Sequence, residues 1–145
     1  MNYIDLGLPS GTLWADRNVG AENPQDCGDY FNFEDAQKCG SLPARWQMCE
    51  LVDECEREVI TMESGVKGMK LIGKNGNSIF MPFTGYMFDF DGSPRNVGYG
   101  GFWWSCTPSD CNVYYLYLLS NGNFYPSDYC CRAYNQSVRL IKNKE

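Results

Sequence analysis

Val113-Tyr114-Tyr115-Leu116-Tyr117-Leu118-Leu119, followed by Ser120-Asn121-Gly122-Asn123, reads as a strand running into a turn. Side chains alternate across a strand. Tyr114, Leu116 and Leu118 therefore share one face, and Tyr115, Tyr117 and Leu119 share the other. One face is expected to pack on a core while the other presents tyrosines. Tyrosine gives large, rigid, amphipathic contact area at low entropy cost, with Ser, Asn and Gly as adaptable polar partners. A face carrying Tyr115, Tyr117, Tyr125, Tyr129 and Tyr134 exceeds what a solvated monomer normally leaves open. It points to a binding surface; the alternative is that these rings are core or subunit interface.

The rest of the chain has the same short-strand rhythm. Gly, Pro and Asn punctuate it about every 8 to 12 residues, as expected for many brief strands. Ile4-Asp5-Leu6 and Thr12-Leu13-Trp14-Ala15 read as strands around Pro9-Ser10-Gly11. Gly68-Met69-Lys70-Leu71-Ile72 and Ser78-Ile79-Phe80-Met81 flank Lys74-Asn75-Gly76-Asn77, and Asn-Gly is the strongest short hairpin signal. Phe102-Trp103-Trp104-Ser105 reads as a buried strand, Ser137-Val138-Arg139-Leu140-Ile141 as a terminal one, and Gly85 to Gly101 as a glycine-rich aromatic loop. One clear helix is expected after Ser41-Leu42-Pro43, with Trp46, Cys49 and Val52 at helical spacing on its core face and Leu51 and Cys55 beside them. One or two helices among many antiparallel strands give an α+β class.

The length of 145 residues suits one domain, 1–145, able to fold without a staple. The net charge is −6, histidine is absent, and Lys and Arg are scattered. No basic face for nucleic acid and no basic membrane-surface helix is visible. The commonest general base and metal ligand is missing. No apolar run is long enough to span a membrane, and Met1-Asn2-Tyr3-Ile4-Asp5 is not the start of a signal peptide. The eight cysteines include no Cys-x-x-Cys zinc spacing, and a Cys130-Cys131 disulfide would be strained. Mostly free thiols are expected. Cys49 and Cys55, about 240° round a helix from one another, point about 120° apart, which favours packing over metal or redox pairing. Asp89-Phe90-Asp91-Gly92 and Ser127-Asp128 lack a calcium-loop pattern. No metal and no cofactor is expected.

One segment is compositionally unlike the rest. Ser105 to Asn135 contains no Met, Trp, Lys, Gln or Glu among 31 residues, whereas the first 104 residues contain 24 of them, a rate that would place about seven in the segment. These five are the amino acids that no pyrimidine-ending codon encodes. Six of ten tyrosines and four of eight cysteines, both read only from pyrimidine-ending codons, fall here. The residues look drawn from codons with free first and second bases and a fixed pyrimidine third base. The plain alternative is a loop-rich region that lacks these residues by chance.

Several stretches resemble the Fibrobacter-type major paralogous domain of Bacteroidetes and their phages. They are Tyr3-Ile4-Asp5-Leu6-Gly7-Leu8-Pro9-Ser10-Gly11-Thr12-Leu13-Trp14-Ala15, Asn18-Val19-Gly20-Ala21, Gly28-Asp29-Tyr30-Phe31, Leu42-Pro43, Gly76-Asn77-Ser78-Ile79-Phe80-Met81-Pro82, Trp104-Ser105 and Ser137-Val138-Arg139. The resemblance implies a C-type lectin fold with a variable region at about 102–140. Some members are variable proteins of diversity-generating retroelements, which mutate template adenines so that AAY asparagine codons become NNY. It implies a fixed framework at Trp104, Ser105, Tyr114, Leu116, Leu118, Gly122 and Ser137-Val138-Arg139. It implies diversified, ligand-binding positions at Ser109, Asp110, Cys111, Asn112, Tyr115, Tyr117 and Leu119, and at Tyr125, Ser127, Asp128, Tyr129, Cys130, Cys131, Ala133 and Tyr134. Cys106 stands where the family usually has serine, and Arg132 fits both a framework and a variable reading. Cys111, Cys130 and Cys131 then become outcomes of random codons and need no partner.

The expected function is hypervariable receptor binding on a phage tail or bacterial cell surface, with a protein or glycan of a target cell as partner. Neither nucleic-acid binding nor membrane insertion is expected, and the oligomeric state is open. The second reading is a fixed lectin-like adhesive domain of a bacterial surface protein. A third is an enzyme, since formylglycine-generating enzymes share the lectin fold. Here no cysteine has an activating context and no histidine can act as base, so no enzyme is expected. On the two-face reading, Tyr115 should tolerate substitution within about 0.5 kcal/mol.

Overall fold

The computed structural model of the chain describes residues 1–88, 92–110, 112–127 and 134–143. It is an α+β fold of small antiparallel sheets and two short helices. β1 (Tyr3–Asp5) pairs with β2 (Leu13–Ala15), and β11 (Ile141–Lys142) pairs with the other edge of β2. The turn between β1 and β2 closes with Gly11 donating to Leu8 O at 2.9 Å, and Gly11 sits at φ 77°, where a side chain would be strained.

Two helices follow. α1 (Phe33–Lys38) was not expected: six residues are too few for helical periodicity to show. Its N-cap is Asn32, whose Oδ1 accepts from Asp35 N at 2.8 Å. α2 (Arg45–Glu54) is the expected helix with its face turned. Met48, Leu51, Val52 and Gln47 are buried, whereas Trp46 is 56% exposed and Cys49 only half-buried. Gln47 explains the rotation. Its Oε1 accepts from Ala44 N at 2.8 Å, and its Nε2 donates to Thr12 Oγ1 at 3.2 Å. A buried glutamine with both ends bonded pins that side of the helix inward, and Trp46 is carried out.

β4 (Lys67–Ile72) and β5 (Ser78–Pro82) form the expected hairpin through Asn75-Gly76, with Gly76 at φ 89°. β3 (Glu56–Thr61) adds an edge to it and was missed. Only Ile60 on β3 is even half-buried, so no apolar alternation marks it as a strand.

The last sheet carries the segment of interest. β7 (Gly100–Ser109) pairs with β8 (Asn112–Leu119), which pairs with β9 (Phe124–Ser127). A register shift between Trp104 and Pro108 bulges β7 toward α2. There Cys106 N donates to Pro43 O at 2.9 Å, and Thr107 Oγ1 accepts from Arg45 N at 2.9 Å. β6 (Met87–Phe88), inside the stretch read as a loop, pairs with β10 (Tyr134–Asn135). The expected strand 137–141 is interrupted. Ser137 instead bridges Trp103 in parallel, donating to Phe102 O at 3.0 Å, and only Ile141 of the five joins a strand.

Apolar burial gathers on both faces of this sheet. Trp103, Leu116 and Leu118 join Trp14, Met48, Leu51 and the β4–β5 side chains in one cluster. Trp104 and Val113 face the other way, against Phe33, Leu42 and Val138. The chain ends are tied to the middle by one buried cation. Arg139 is fully buried and donates from Nε to Asn18 Oδ1 at 2.8 Å, from Nη1 to Ala15 O at 3.0 Å and from Nη2 to Phe80 O at 2.8 Å. Asn18 Oδ1 also accepts from Trp103 Nε1 at 2.9 Å. Burial pulls the Arg139 pKa down to about 9, with the Asp16 carboxylate working against that fall.

Candidate binding face

Cross-strand partners share a face. Phe102, Tyr117 and Tyr125 lie in one row across β7, β8 and β9, with Trp104, Tyr115 and Ser127 in the next. The row of aromatics begins inside the fold and ends outside it. Phe102 is buried, Tyr117 is half-buried and Tyr125 is 49% exposed. Tyr117 stacks on Phe102 with centroids 4.4 Å apart and planes 13° apart. Its ring also lies over Gly100, where an added Cβ would meet Tyr117 Cε1 at 2.6 Å. Burial raises the pKa of the Tyr117 phenol, with Tyr86 adding a smaller push in the same direction.

Tyr115 does not sit as expected. The alternation of β8 is real, but both of its faces are covered. Leu116 and Leu118 are fully buried on one side, and Tyr115 is 6% exposed on the other. Phe102 packs against its ring at a centroid distance of 5.8 Å, in a cluster with Tyr86, Tyr117 and Tyr134. That cluster joins residues distant in sequence, and a single strand's pattern contains no information about packing supplied by distant chain. Tyr115 therefore does not have the tolerance of about 0.5 kcal/mol that belongs to surface positions. Tyr114, expected on the core face, is half-buried and lies under the Arg45 guanidinium, 5.0 Å from the ring centroid.

The expected site residues fall into three places. Tyr115, Tyr117 and Tyr134 meet in the ring cluster, with Tyr125 beside Tyr117. Leu119 is half-buried at the far end of β8, opposite Gly100. Ser109, Asp110 and Asn112 form the tip of the β7–β8 hairpin, with Asp110 exposed at φ 49°. Five residues of strand, about 17 Å, separate Asn112 from Tyr117. Cys111, Asp128, Tyr129, Cys130, Cys131 and Ala133 lie outside the described residues, as do Arg132, the Asp89-Phe90-Asp91 stretch and the side chain of Ser127.

Sequence reading missed three contributors to this face. Tyr86 and Phe88 come from the stretch read as a loop, and Phe102 from a strand read only as core. The aromatic content of residues 85–101 was the one available signal. Strand pairing of Phe88 with Tyr134 is a contact between distant segments that no local pattern reports.

Among the described residues, Cys27, Cys39, Cys49, Cys55 and Cys106 are free thiols. Among the described residues, no group of three or more His, Cys, Asp or Glu is placed to hold a metal ion. Nor is any helix there long and apolar enough to cross a membrane. Burial, then the charges of Glu54 and Glu50, pushes the Cys55 thiol up to about 11. The thiolate is the nucleophile, so at pH 8 iodoacetamide should label exposed Cys106 at least about tenfold faster than Cys55. Peptide mass spectrometry over a labelling time course reads this directly. Equal rates would mean that Cys55 is not held in the core.

No family model, no curated protein and no solved structure matches the chain. The functional reading therefore rests on sequence pattern and geometry.

Proposed function

We propose that this chain is a hypervariable ligand-binding domain with a C-type lectin-like fold, diversified by a retroelement and displayed on a phage tail or bacterial surface. One observation carries the proposal. The segment that lacks every amino acid without a pyrimidine-ending codon takes in the end of β7 and all of β8, β9 and β10, elements that bring Tyr115, Tyr117 and Tyr134 into one ring cluster. A framework of buried Trp103, Leu116 and Leu118 holds the sheet from behind, so side chains at its open edge can change while folding energetics are left alone. Such a face would take a protein or glycan on a target cell through tyrosine contacts. The proposed role is binding, without catalysis.

A second reading has its own support. Tyr115 and Tyr134 pack into an ordered ring cluster, as they would in an adhesive domain of fixed sequence. The DNA around the gene separates the two. An imperfect copy of the stretch encoding residues 105–135, differing at adenines, is expected beside a reverse-transcriptase gene. A locus without that repeat would overturn diversification and leave the fixed adhesive domain.

A further inference from the structure

The ring cluster has a feature that the binding proposal does not use. Tyr134 packs into the corner formed by two aromatic residues from outside the segment 105–135. Its ring stacks on Tyr86, with centroids 5.2 Å apart and planes 25° apart, and meets Phe88 edge-on at 4.7 Å. Tyr86 and Phe88 are themselves edge-to-face at 5.5 Å, and Tyr86 is braced edge-to-face by buried Phe102 at 5.1 Å. The Arg95 guanidinium lies over Phe88, 4.6 Å from its centroid.

Backbone fixes this arrangement independently of Tyr134's side chain. Phe88 and Met87 are strand-paired to Tyr134 and Asn135, Tyr86 exchanges two backbone hydrogen bonds with Arg95 at 3.1 and 2.8 Å, and Gly85 N donates to Gly100 O at 2.8 Å. Gly85 cannot be anything larger, since a Cβ there would lie 1.9 Å from Arg95 O at φ 69°. The walls therefore stand on main-chain pairing, and the ring in the corner they form belongs to a position whose side chain is proposed to vary.

We infer that Tyr86 and Phe88 form a ring-binding socket on the binding face, filled in this chain by its own Tyr134, that accepts a phenol or other aromatic side chain of a protein partner when position 134 carries a small residue. Two stacked and edge-on walls select a flat π-system, because offset-stacked and edge-to-face pairs gain beyond simple area burial. Tyr86, Phe88 and Tyr134 are all only half-buried, so the socket opens at the surface once the ring is removed. An apolar cavity whose walls are held in place stays available to a ligand that refills it. The inference deepens the proposed binding role and rests on it for its biological use. The chemistry of the socket is testable apart from that role.

The test is a titration of full-length Tyr134→Ala with p-cresol, the side chain that was removed, followed by NMR of the Tyr86 and Phe88 ring protons. The expected result is saturable ring-current shifts at both residues with a Kd on the order of 1 mM. The unmodified chain should show no such shifts, and the saturated analogue 4-methylcyclohexanol should bind Tyr134→Ala at least about fivefold more weakly. Should Tyr134→Ala fail to fold, Tyr134→Val preserves strand preference and carries the same titration. Absence of shifts in the folded variant, equal shifts in the unmodified chain, or equal binding of the saturated analogue would each overturn the socket. Ring binding at a locus that lacks the adenine-differing repeat would remove diversification and keep the socket; a repeat without ring binding would do the reverse.

Discussion

Replacing Arg139 with methionine is expected to cost about 2–4 kcal/mol of folding stability, because buried acceptors lose their hydrogen bonds to a charged donor. Methionine fills much of the volume, so the loss reports hydrogen bonding more than a cavity. Without the guanidinium, Ala15 O and Phe80 O lose their bonds from the Arg139 side chain, and Asn18 Oδ1 keeps only Trp103 Nε1. Each buried group left without a partner costs about 1–3 kcal/mol. Arg139→Lys should recover little, because an ammonium on one stem cannot reach three oxygens on two separate segments in the geometry of a planar fork. Urea unfolding at pH 7 measures both variants. A loss under about 1 kcal/mol for Arg139→Met would mean that the terminal segment is not held by this contact.

The second large effect lies on β8. Leu116→Asn places an amide in the main core at a position with no exposure and is expected to cost about 4 kcal/mol or more. Tyr125→Asn, across the sheet and half exposed, should change stability by no more than about 0.5 kcal/mol. Tyr115→Asn falls between them at about 2–3 kcal/mol, because its ring is buried but lies in the smaller cluster near the surface. The ordering Leu116, Tyr115, Tyr125 is what separates scaffold from displayed face. Equal losses at Leu116 and Tyr125 would remove the distinction on which the binding proposal depends.

Local patterns were legible in the sequence wherever a local cause fixed the structure. Asn75-Gly76 specified the β4–β5 hairpin because its positive φ demands glycine. Pro43 and the apolar spacing after it located α2, and strand alternation correctly separated Leu116 and Leu118 from their neighbours. What failed was anything decided by distant chain. The rotation of α2 depends on Gln47 finding Thr12, and Tyr115 is buried in a cluster that brings Phe102, Tyr86 and Tyr134 together from distant chain. Arg139 was legible as part of a framework strand, yet its role lies in oxygens of residues 15, 18 and 80 that no spacing rule connects. The candidate site rests on a different kind of signal. That signal is compositional, the lack across 105–135 of every amino acid without a pyrimidine-ending codon, and it can be read without any knowledge of the fold. It names a segment but cannot say which of its side chains are covered.

Deep sequencing of this gene across a growing population that carries it tests the central claim, a fixed scaffold under a changing face. The account predicts substitutions in the codons of Tyr117, Leu119 and Tyr125 and of residues 109–112 and 127–134, each keeping a pyrimidine third base. The codons of Trp103, Leu116, Leu118 and Arg139 should stay unchanged. Substitutions spread evenly over both sets, or none above the background rate in either, would contradict it.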